Sequence, residues 1–208
     1  MRATASPFRS TRTNEDERRE KRTALLLAAV RMFNERGFHA TSLEDVAASL
    51  GVTKPVIYHH LGNKEQVLFE CVRLGLEELS DGAERAKVTP GTGLDRLKTF
   101  LRSYAESVMG DFGKCVIRTG DELLSPQSRI DLRSLKSDID VTLRTMIEDA
   151  VADGSANVSD VRLTAFTFAG ALNWPARWFR DDGALTSQAM AHQLVEVLCN
   201  GIMPQSTR

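Results

Sequence analysis

The chain has 208 residues, of which 42% are hydrophobic, and its formal net charge at pH 7 is -1. This length suits one or two small domains, and the hydrophobic content is enough to bury a core, which excludes a wholly disordered chain. Residues 1–64 carry 11 Lys or Arg against 7 Asp or Glu, a net charge of +4, so the other 144 residues carry -5. The basic charge is therefore concentrated in the first third of the chain.

Cysteine usage and hydropathy indicate the compartment. Cys71, Cys115 and Cys199 are an odd count with no metal-ligand spacing, which fits reduced thiols better than a disulfide framework. No apolar run approaches the roughly 20 residues of a membrane span, and the N-terminus lacks an apolar signal core. We therefore expect a soluble, cytoplasmic protein.

The chain begins with a polar, basic segment. We predict that residues 1–18 form a disordered arm, because they are rich in charge and poor in apolar residues. A first helix is predicted over 19–36, where apolar residues recur at helical spacing, and Gly37 supplies its left-handed stop.

Two short helices are predicted next, joined by a sharp corner. Thr41 is expected to cap the first of them, with Glu44 completing a capping box. Gly51 is expected to make the corner, and Thr53 to cap the second helix, whose Pro55 falls in the first turn. The inward residues of the second helix are expected to be Ile57 and Leu61, and the outward ones Lys54, Val56, Tyr58 and His59. A fourth helix is expected after the cap Asn63, with Gln66 in its capping box.

The remaining pattern stays helical. Breaks are expected at 89–93, 110–114, 125–126, 153–157 and 180–183, which leave bundle helices at 94–109, 127–152, 159–179 and 185–202. No apolar run has a period of two, so no sheet is expected. The predicted fold is all-α, with a helix-turn-helix DNA-binding domain at 19–66 and a ligand-binding and dimerisation bundle at 67–208.

A helix-turn-helix places its second helix in the major groove and braces it with the first. Three residues of the second helix are candidates for base-edge contact, namely Thr53, Lys54 and Val56. Phosphate contacts are expected from Tyr58, His59 and Lys64, and also from Thr41 and Ser42.

The stretch GFHATSLEDVAASLGVTKPVIYHHLGNKEQVL resembles the N-terminal domain of the TetR family of bacterial transcriptional repressors, over about residues 22–70. The resemblance implies a homodimer that binds a palindromic operator through paired recognition helices and releases it when a small ligand enters the C-terminal bundle. It also implies DNA contacts at Thr41, Ser42, Thr53, Lys54, Tyr58, His59 and Lys64. Leu61 departs from the Phe that is usual in the family. Nucleoid association follows from the same resemblance.

The basic arm and the last two helices suggest further contacts. Arg9, Arg12, Arg18 and Arg19 are positioned in sequence to add minor-groove or phosphate contacts. The last two helices carry broad apolar faces, which in the family pair with those of the second subunit. These residues are Phe166, Ala169, Gly170 and Leu172, followed by Leu194, Val197, Leu198 and Ile202. The alternative is that they fill the core of the monomer.

The segment GALNWPARWFRDDG, residues 170–183, is dense in amphipathic side chains. It resembles a signature of TetR-type regulators of fatty-acid and steroid breakdown, which respond to acyl-coenzyme A thioesters. The resemblance implies cations for the coenzyme phosphates, an aromatic stack and an amide, here Arg118, Arg177 and Arg180, Trp174 and Trp178, and Asn173. The alternative is that both tryptophans belong to a dimer seam and the arginines pair with Asp181 or Asp182. Pro175 is expected to bend the helix.

Three other functions compete with this hypothesis. An enzyme would need a nucleophile, a base or a metal cluster, but the four histidines form no such motif, so we expect no catalytic residue, metal or cofactor. A TetR-type regulator of another hydrophobic ligand, a drug or a metabolite, is the nearest alternative. A ligand-independent DNA-binding protein is the third, and it would form complexes with DNA that no metabolite changes.

Overall fold

The computed structural model describes residues 14–201, and these residues form helices and no strand. The nine α-helices of this part of the chain are α1 (Asn14–Arg36), α2 (Leu43–Ser49), α3 (Lys54–Leu61), α4 (Lys64–Lys87), α5 (Gly93–Met109), α6 (Asp111–Arg118), α7 (Pro126–Ala152), α8 (Val161–Asn173) and α9 (Ser187–Asn200). We call α1–α3 the head and α5–α9 the bundle, and α4 connects the two. This architecture confirms the predicted fold class.

The head is held by apolar residues at the predicted spacing. Val46 and Ala47 on α2 and Ile57 and Leu61 on α3 are all buried, so the inward face of the recognition helix is as predicted. Gly51 has a φ of 66°, in the left-handed region, which a residue with a side chain rarely adopts, and this turns the chain between α2 and α3.

The cap of α2 lies one residue later than predicted. Ser42, not Thr41, accepts a hydrogen bond from the backbone N–H of Asp45, and the Asp45 carboxylate accepts from the Ser42 N–H. Thr41 is instead buried, and its hydroxyl lies 2.9 Å from the Gly37 carbonyl oxygen and 3.2 Å from that of Met32. The prediction missed this because Thr41 and Ser42 are both good caps and each has an acidic residue three positions on.

The caps of the next two helices have the predicted residues. Thr53 precedes α3, and its side chain makes no capping hydrogen bond. Asn63 caps α4, and the reciprocal bond from the Asn63 N–H to the Gln66 side chain is 2.8 Å long. Both helices therefore begin where the sequence indicates.

The first helix begins earlier than predicted. It starts at Asn14 and not at Arg19, so residues 14–18 are helical and do not belong to a disordered arm. Charged residues with good helix propensity extend α1 by more than a turn beyond its apolar stripe, since Glu, Lys and Arg need no core to continue a helix. Arg18 and Arg19 lie exposed on this turn, whereas Arg9 and Arg12 lie outside the described residues, as does Ile202.

A helix occupies a segment that was predicted as a break. Residues 111–118 form α6, and only Gly110 is extended, as its N-cap. Gly113 is needed inside this helix for close approach, because a Cβ there would collide with the Ser107 carbonyl oxygen on α5. Two glycines in four residues thus indicated a loop where they serve helix packing.

The bundle is arranged around α5. Phe100, Leu101, Ala105 and Val108 of this helix are fully buried against the neighbouring helices. The α-helix of α8 ends at Asn173, and residues Trp174–Arg177, which include Pro175, continue as a 3-10 turn. The break at Pro175 is thus a change of helix type. Within the part of the chain that the structure describes, no helix combines the length and the apolar character needed to cross a membrane.

Polar contacts join the head to the bundle. Arg31 on α1 forms an ion pair of 2.8 Å with Asp111, whose carbonyl oxygen accepts from the Asn34 amide at 2.8 Å. Arg118 at the end of α6 donates from Nη1 to the Asn34 carbonyl at 3.0 Å and from Nε to the Ala176 carbonyl at 2.8 Å. Arg118 thus connects α1, α6 and the turn after α8.

A second link joins the start of α4 to the start of α7. The Glu65 carboxylate accepts from the Ser125 N–H at 2.9 Å and from the Ser128 hydroxyl at 3.2 Å. The Ser125 N–H, more than the two hydroxyls, keeps the pKa of Glu65 below its ordinary value. Glu65 is therefore a fixed anion that ties α4 to α7.

Candidate nucleic-acid interface and internal cavity

A concave surface lies where the first turns of α2 and α4 meet the side of α3. Its groove has a volume of about 260 Å³, and Ser42, Tyr58 and Lys64 lie among its lining residues. These are three of the residues predicted to contact phosphates, and the fold brings them together from three helices. Thr41 also borders the groove, but its side chain is directed to α1.

Lys64 is held beside the loop that follows α1. Its ammonium nitrogen lies 4.3 Å from the centroid of the Phe38 ring and 3.4 Å from the His39 carbonyl oxygen. A cation is attracted to the face of an aromatic ring, and this contact limits the movement of the lysine side chain. The ammonium is thus positioned at the rim of the groove, next to the free N–H groups at the start of α4.

The outward face of α3 carries the remaining predicted residues. Thr53, Lys54, Val56 and His59 are all exposed, with Val56 at 37%. The Thr53 hydroxyl makes no cap contact. This short helix therefore presents hydroxyl, ammonium, methyl and imidazole groups to the solvent, which are the chemical types that read base edges and phosphates.

Glu44 is a residue of this surface that the sequence analysis used only as part of a cap. Its carboxylate on α2 contacts the Lys54 ammonium at 2.5 Å and accepts from the Tyr58 hydroxyl at 3.3 Å. The Lys54 contact lowers the pKa of Glu44 and raises the pKa of Lys54. An exposed carboxylate thus holds two of the candidate DNA-contacting side chains across the corner.

A half-open cavity of about 450 Å³ lies between α4 and the bundle. Its lining is mainly aliphatic and aromatic, contributed by α4, α6, α7 and α8, with polar groups from α5 to α8. The apolar members are Leu76, Leu79, Val116, Ile117, Ile139, Leu143, Phe166 and Ala169. The polar members are Tyr104, Thr119, Lys136, Asp140 and Asn173. Such a cavity suits a ligand that is mostly apolar and carries a few polar atoms.

Tyr104 and Asn173 form the hydrogen bond that connects α5 to α8 in the wall of the cavity. The Tyr104 hydroxyl donates to Asn173 Oδ1 at 3.1 Å. Burial raises the pKa of Tyr104 above its ordinary value. The phenol is therefore neutral near pH 7 and remains a donor.

The structure separates the predicted ligand residues. Asn173 lines the cavity, whereas Arg118 joins helices at the surface and Trp174 and Trp178 are 62% and 47% exposed. Arg177 is exposed, and Arg180 makes a two-fold ion pair with Asp182, with nitrogen to oxygen distances of 2.9 and 2.8 Å. Lys136, Asp140 and Tyr104 were not predicted for this site. Lys136 and Asp140 lie one turn apart on α7, but only the packing of α5 against α7 brings them near Tyr104.

An apolar strip on the outside of the bundle runs along α8 and the turn after it. Leu163, Phe166 and Trp174 are 64%, 51% and 62% exposed, and Gly170 lies exposed between them. Val197 on α9 is 55% exposed, whereas Leu172 is fully buried. The predicted apolar faces are thus divided between the monomer core and an uncovered surface.

Known proteins resemble the chain over nearly all of its length. Residues 25–71 match the domain described as bacterial regulatory proteins of the tetR family, and residues 90–202 match the Tetracyclin repressor-like C-terminal domain. The HTH-type transcriptional repressor KstR2 of Rhodococcus jostii (strain RHA1) is 30% identical over 189 residues, which cover 88% of this chain and 91% of that protein.

Solved structures of transcriptional regulators share the fold. The TetR family regulator PfmR from Thermus thermophilus superposes with a TM-score of 0.79 at 30% identity, covering 86% of this chain and 99% of that one. The structure of AibR with isovaleryl coenzyme A and operator DNA has a TM-score of 0.74 at 27% identity and covers 86% and 98% of the two chains. These proteins regulate transcription and are not enzymes.

Proposed function

Because the chain belongs to the TetR family of bacterial transcriptional regulators, we propose that it is a homodimeric repressor of a palindromic operator, released by an acyl-coenzyme A thioester. The observation that carries the effector part is the apolar cavity with its Tyr104–Asn173 pair. The protein acts in the cytoplasm, where its DNA is found.

The DNA contacts are assigned to the exposed face of α3 and to the groove beside it. Lys54 and Val56 read base edges, with Thr53 at the start of the helix. Tyr58, His59, Lys64 and Ser42 bind phosphates on either side of the recognition helix. Thr41 supports this surface from below, since its hydroxyl fixes the end of α1.

The effector assignment is supported by the lining and by a structural relative. Eight apolar side chains surround space for an acyl group, and the polar ones suit its thioester. AibR has been crystallised with isovaleryl coenzyme A and operator DNA, and it has this fold. The coenzyme phosphates lie outside the cavity on this proposal, where Arg177 and Arg118 are candidate partners together with a Trp174 or Trp178 stack.

Dimer formation is assigned to the apolar strip on α8 together with α9. Large exposed apolar side chains in one strip are typical of surfaces that pair with a partner. A twofold interface places the same strip of each copy against the other. It also fixes the distance between the two α3 helices, which for half-sites one turn apart is about 34 Å.

Release requires that the cavity and the head move together. The α7 residues Ile139 and Leu143 line the cavity, and the same helix begins at the Ser125–Glu65 link to α4. A ligand that shifts α7 therefore displaces the start of α4, where Lys64 contacts DNA. The shift must favour the state with the wrong spacing between the heads, because a ligand acts only through its different affinity for two states.

The test begins with selection of an operator from random duplexes by the purified protein. Butyryl-, octanoyl- and palmitoyl-coenzyme A are then titrated into a complex of the protein with fluorescently labelled operator DNA, and the bound DNA is followed by anisotropy. Free coenzyme A and the free acids are the controls. We expect at least one thioester to release the DNA, whereas the controls leave it bound.

Three outcomes separate the hypotheses. Release by a hydrophobic compound other than these thioesters supports the alternative ligand class. A complex that no compound changes supports a ligand-independent DNA-binding protein. If the protein protects no duplex at low salt, that result overturns the assignment of the DNA surface itself.

A further inference from the structure

The Asn173 carboxamide has one end fixed and the other free. Its oxygen accepts from the Tyr104 hydroxyl at 3.1 Å. Among the described residues, Nδ2 donates to no protein acceptor, although Asn173 lines the cavity. Asn173 is half-buried, so its two N–H donors are available to a ligand that enters this mostly apolar space.

Tyr104 decides which end of the amide is available. A carboxamide turned by 180° would present oxygen in place of nitrogen. The phenol hydroxyl donates to the oxygen, and it stays protonated because the residue is buried, with 7% of its surface exposed. In the structure this bond is made to the oxygen, so the nitrogen is the end left available to a ligand.

We propose that Tyr104 is a positioning residue that orients Asn173, and that the Asn173 N–H donors recognise the carbonyl oxygen of the effector's thioester. This inference rests on the proposed function and names the atom by which the cavity distinguishes an acyl group from an alkyl group. The aliphatic lining cannot make that distinction, because it contacts both chains equally. A site with a fixed donor disfavours the analogue that lacks the acceptor.

The test compares each thioester with its S-alkyl thioether, such as octanoyl-coenzyme A with S-octyl-coenzyme A, which has CH2 in place of the carbonyl. Binding to the full chain is measured by calorimetry. For the wild type we expect the best thioester to bind about ten-fold more tightly than its thioether, the effect of one satisfied buried hydrogen bond.

Two variants test whether Tyr104 and Asn173 cause the preference for the thioester. Tyr104→Phe removes only the hydroxyl, and Asn173→Leu removes the donors at similar volume; both should reduce the thioester preference to less than about three-fold. Thr142→Val is the control, since it removes a hydroxyl that donates to the Asp138 carbonyl at 2.8 Å on α7, away from the cavity lining. It should keep the wild-type preference. Thermal unfolding of each variant verifies that it folds.

The outcomes distinguish this inference from the proposed function. Equal binding of thioester and thioether by the wild type overturns the inference and leaves the effector class standing. A wild-type preference in Tyr104→Phe overturns the role of Tyr104. If none of the three thioesters binds, the result overturns both the acyl-coenzyme A effector class and this inference.

Discussion

At the scale of single residues, the proposed DNA-binding surface combines side chains of two kinds. Lys64 is positioned at the groove rim by Phe38, whereas Val56 projects from α3 and has no polar group. A phosphate contact contributes equally on any sequence, and a methyl contact contributes only where a thymine lies opposite. Substitutions of these two residues should therefore change DNA binding in different ways.

We expect Lys64→Ala to weaken binding to operator and to random duplex by a similar factor, and to reduce the slope of log affinity against log salt by about one. Val56→Ala should leave the salt slope unchanged and relax the preference at one position of the operator. Fluorescence anisotropy over a range of salt concentrations checks both. A Lys64→Ala protein that loses only operator binding would contradict the phosphate assignment.

In the proposed DNA-binding mode, Glu44 competes with DNA for Lys54 and Tyr58. Its carboxylate holds Lys54 and Tyr58 in the free protein, and a phosphate must replace it. We expect Glu44→Gln to raise the affinity for random duplex by about two- to five-fold, the size of one exposed ion pair. Glu35→Gln on α1 is the control, because it changes the net charge equally and lies on a different helix from the α2–α3 corner. Equal gains in both variants would indicate a bulk charge effect.

The residues of the head were easier to predict than those of the cavity. Asn63 and Gln66, or Ile57 and Leu61, act within one helix turn or two, so spacing alone indicates their roles. Tyr104 and Asn173 are 69 positions apart, and nothing in either neighbourhood indicates the other. Glu44 lies between these cases. It is ten positions from Lys54 across the corner of a helix-turn-helix, so the Glu44–Lys54 ion pair could have been predicted from the sequence.

At the scale of helices, α4 and α7 are joined at their first turns. Glu65 accepts from Ser125 and Ser128, and the residue before it, Lys64, lines the groove that we propose to bind DNA. Later turns of α7 line the cavity. The link is thus a polar connection, within the described residues, between the proposed effector cavity and a residue that we propose to contact DNA.

We expect Glu65→Ala to retain DNA affinity and effector affinity while the effect of one on the other falls about ten-fold, within the usual range of coupling energies. Glu84→Ala, farther along α4 and paired with Lys87 on the same helix, is the control. Titration of effector with and without saturating operator measures the coupling. Unchanged coupling in Glu65→Ala would exclude this link as the route.

Helix boundaries show where local pattern fails. The predicted ends of α5 and α7 agree closely with Gly93–Met109 and Pro126–Ala152, since both have strong caps. The α6 helix was missed because Gly113 weakens the local helix signal, and its reason is the neighbouring backbone of α5. A close contact between two helices does not change the spacing of apolar residues in the sequence of either helix.

At the scale of the whole molecule, the proposed dimer depends on the uncovered apolar side chains of α8 and α9, which would hold two heads together on DNA. We expect Val197→Glu to weaken dimerisation on the order of 100-fold or more, because each copy would bury an unpaired carboxylate. Operator affinity should fall with it. Sedimentation velocity measures the dimer, and anisotropy measures the DNA complex.

The matched control is Val141→Glu on α7. Val141 is 56% exposed and Val197 is 55% exposed, so the two substitutions change charge and surface in the same way. Only the α9 variant should yield monomers. If both remain dimeric, another face of the bundle forms the interface.

Arg118 bears on how this protein can be rebuilt. Arg118 donates to the Asn34 carbonyl oxygen on α1 and to the Ala176 carbonyl oxygen after α8. Asp111 forms an ion pair with Arg31, and its carbonyl oxygen accepts from the Asn34 side chain. Chimeric sensors are often assembled by grafting a foreign operator-reading module onto a chosen sensory body. A foreign head grafted here keeps these contacts only if its first helix carries an arginine and an asparagine at the positions of Arg31 and Asn34, because both side chains donate to Asp111.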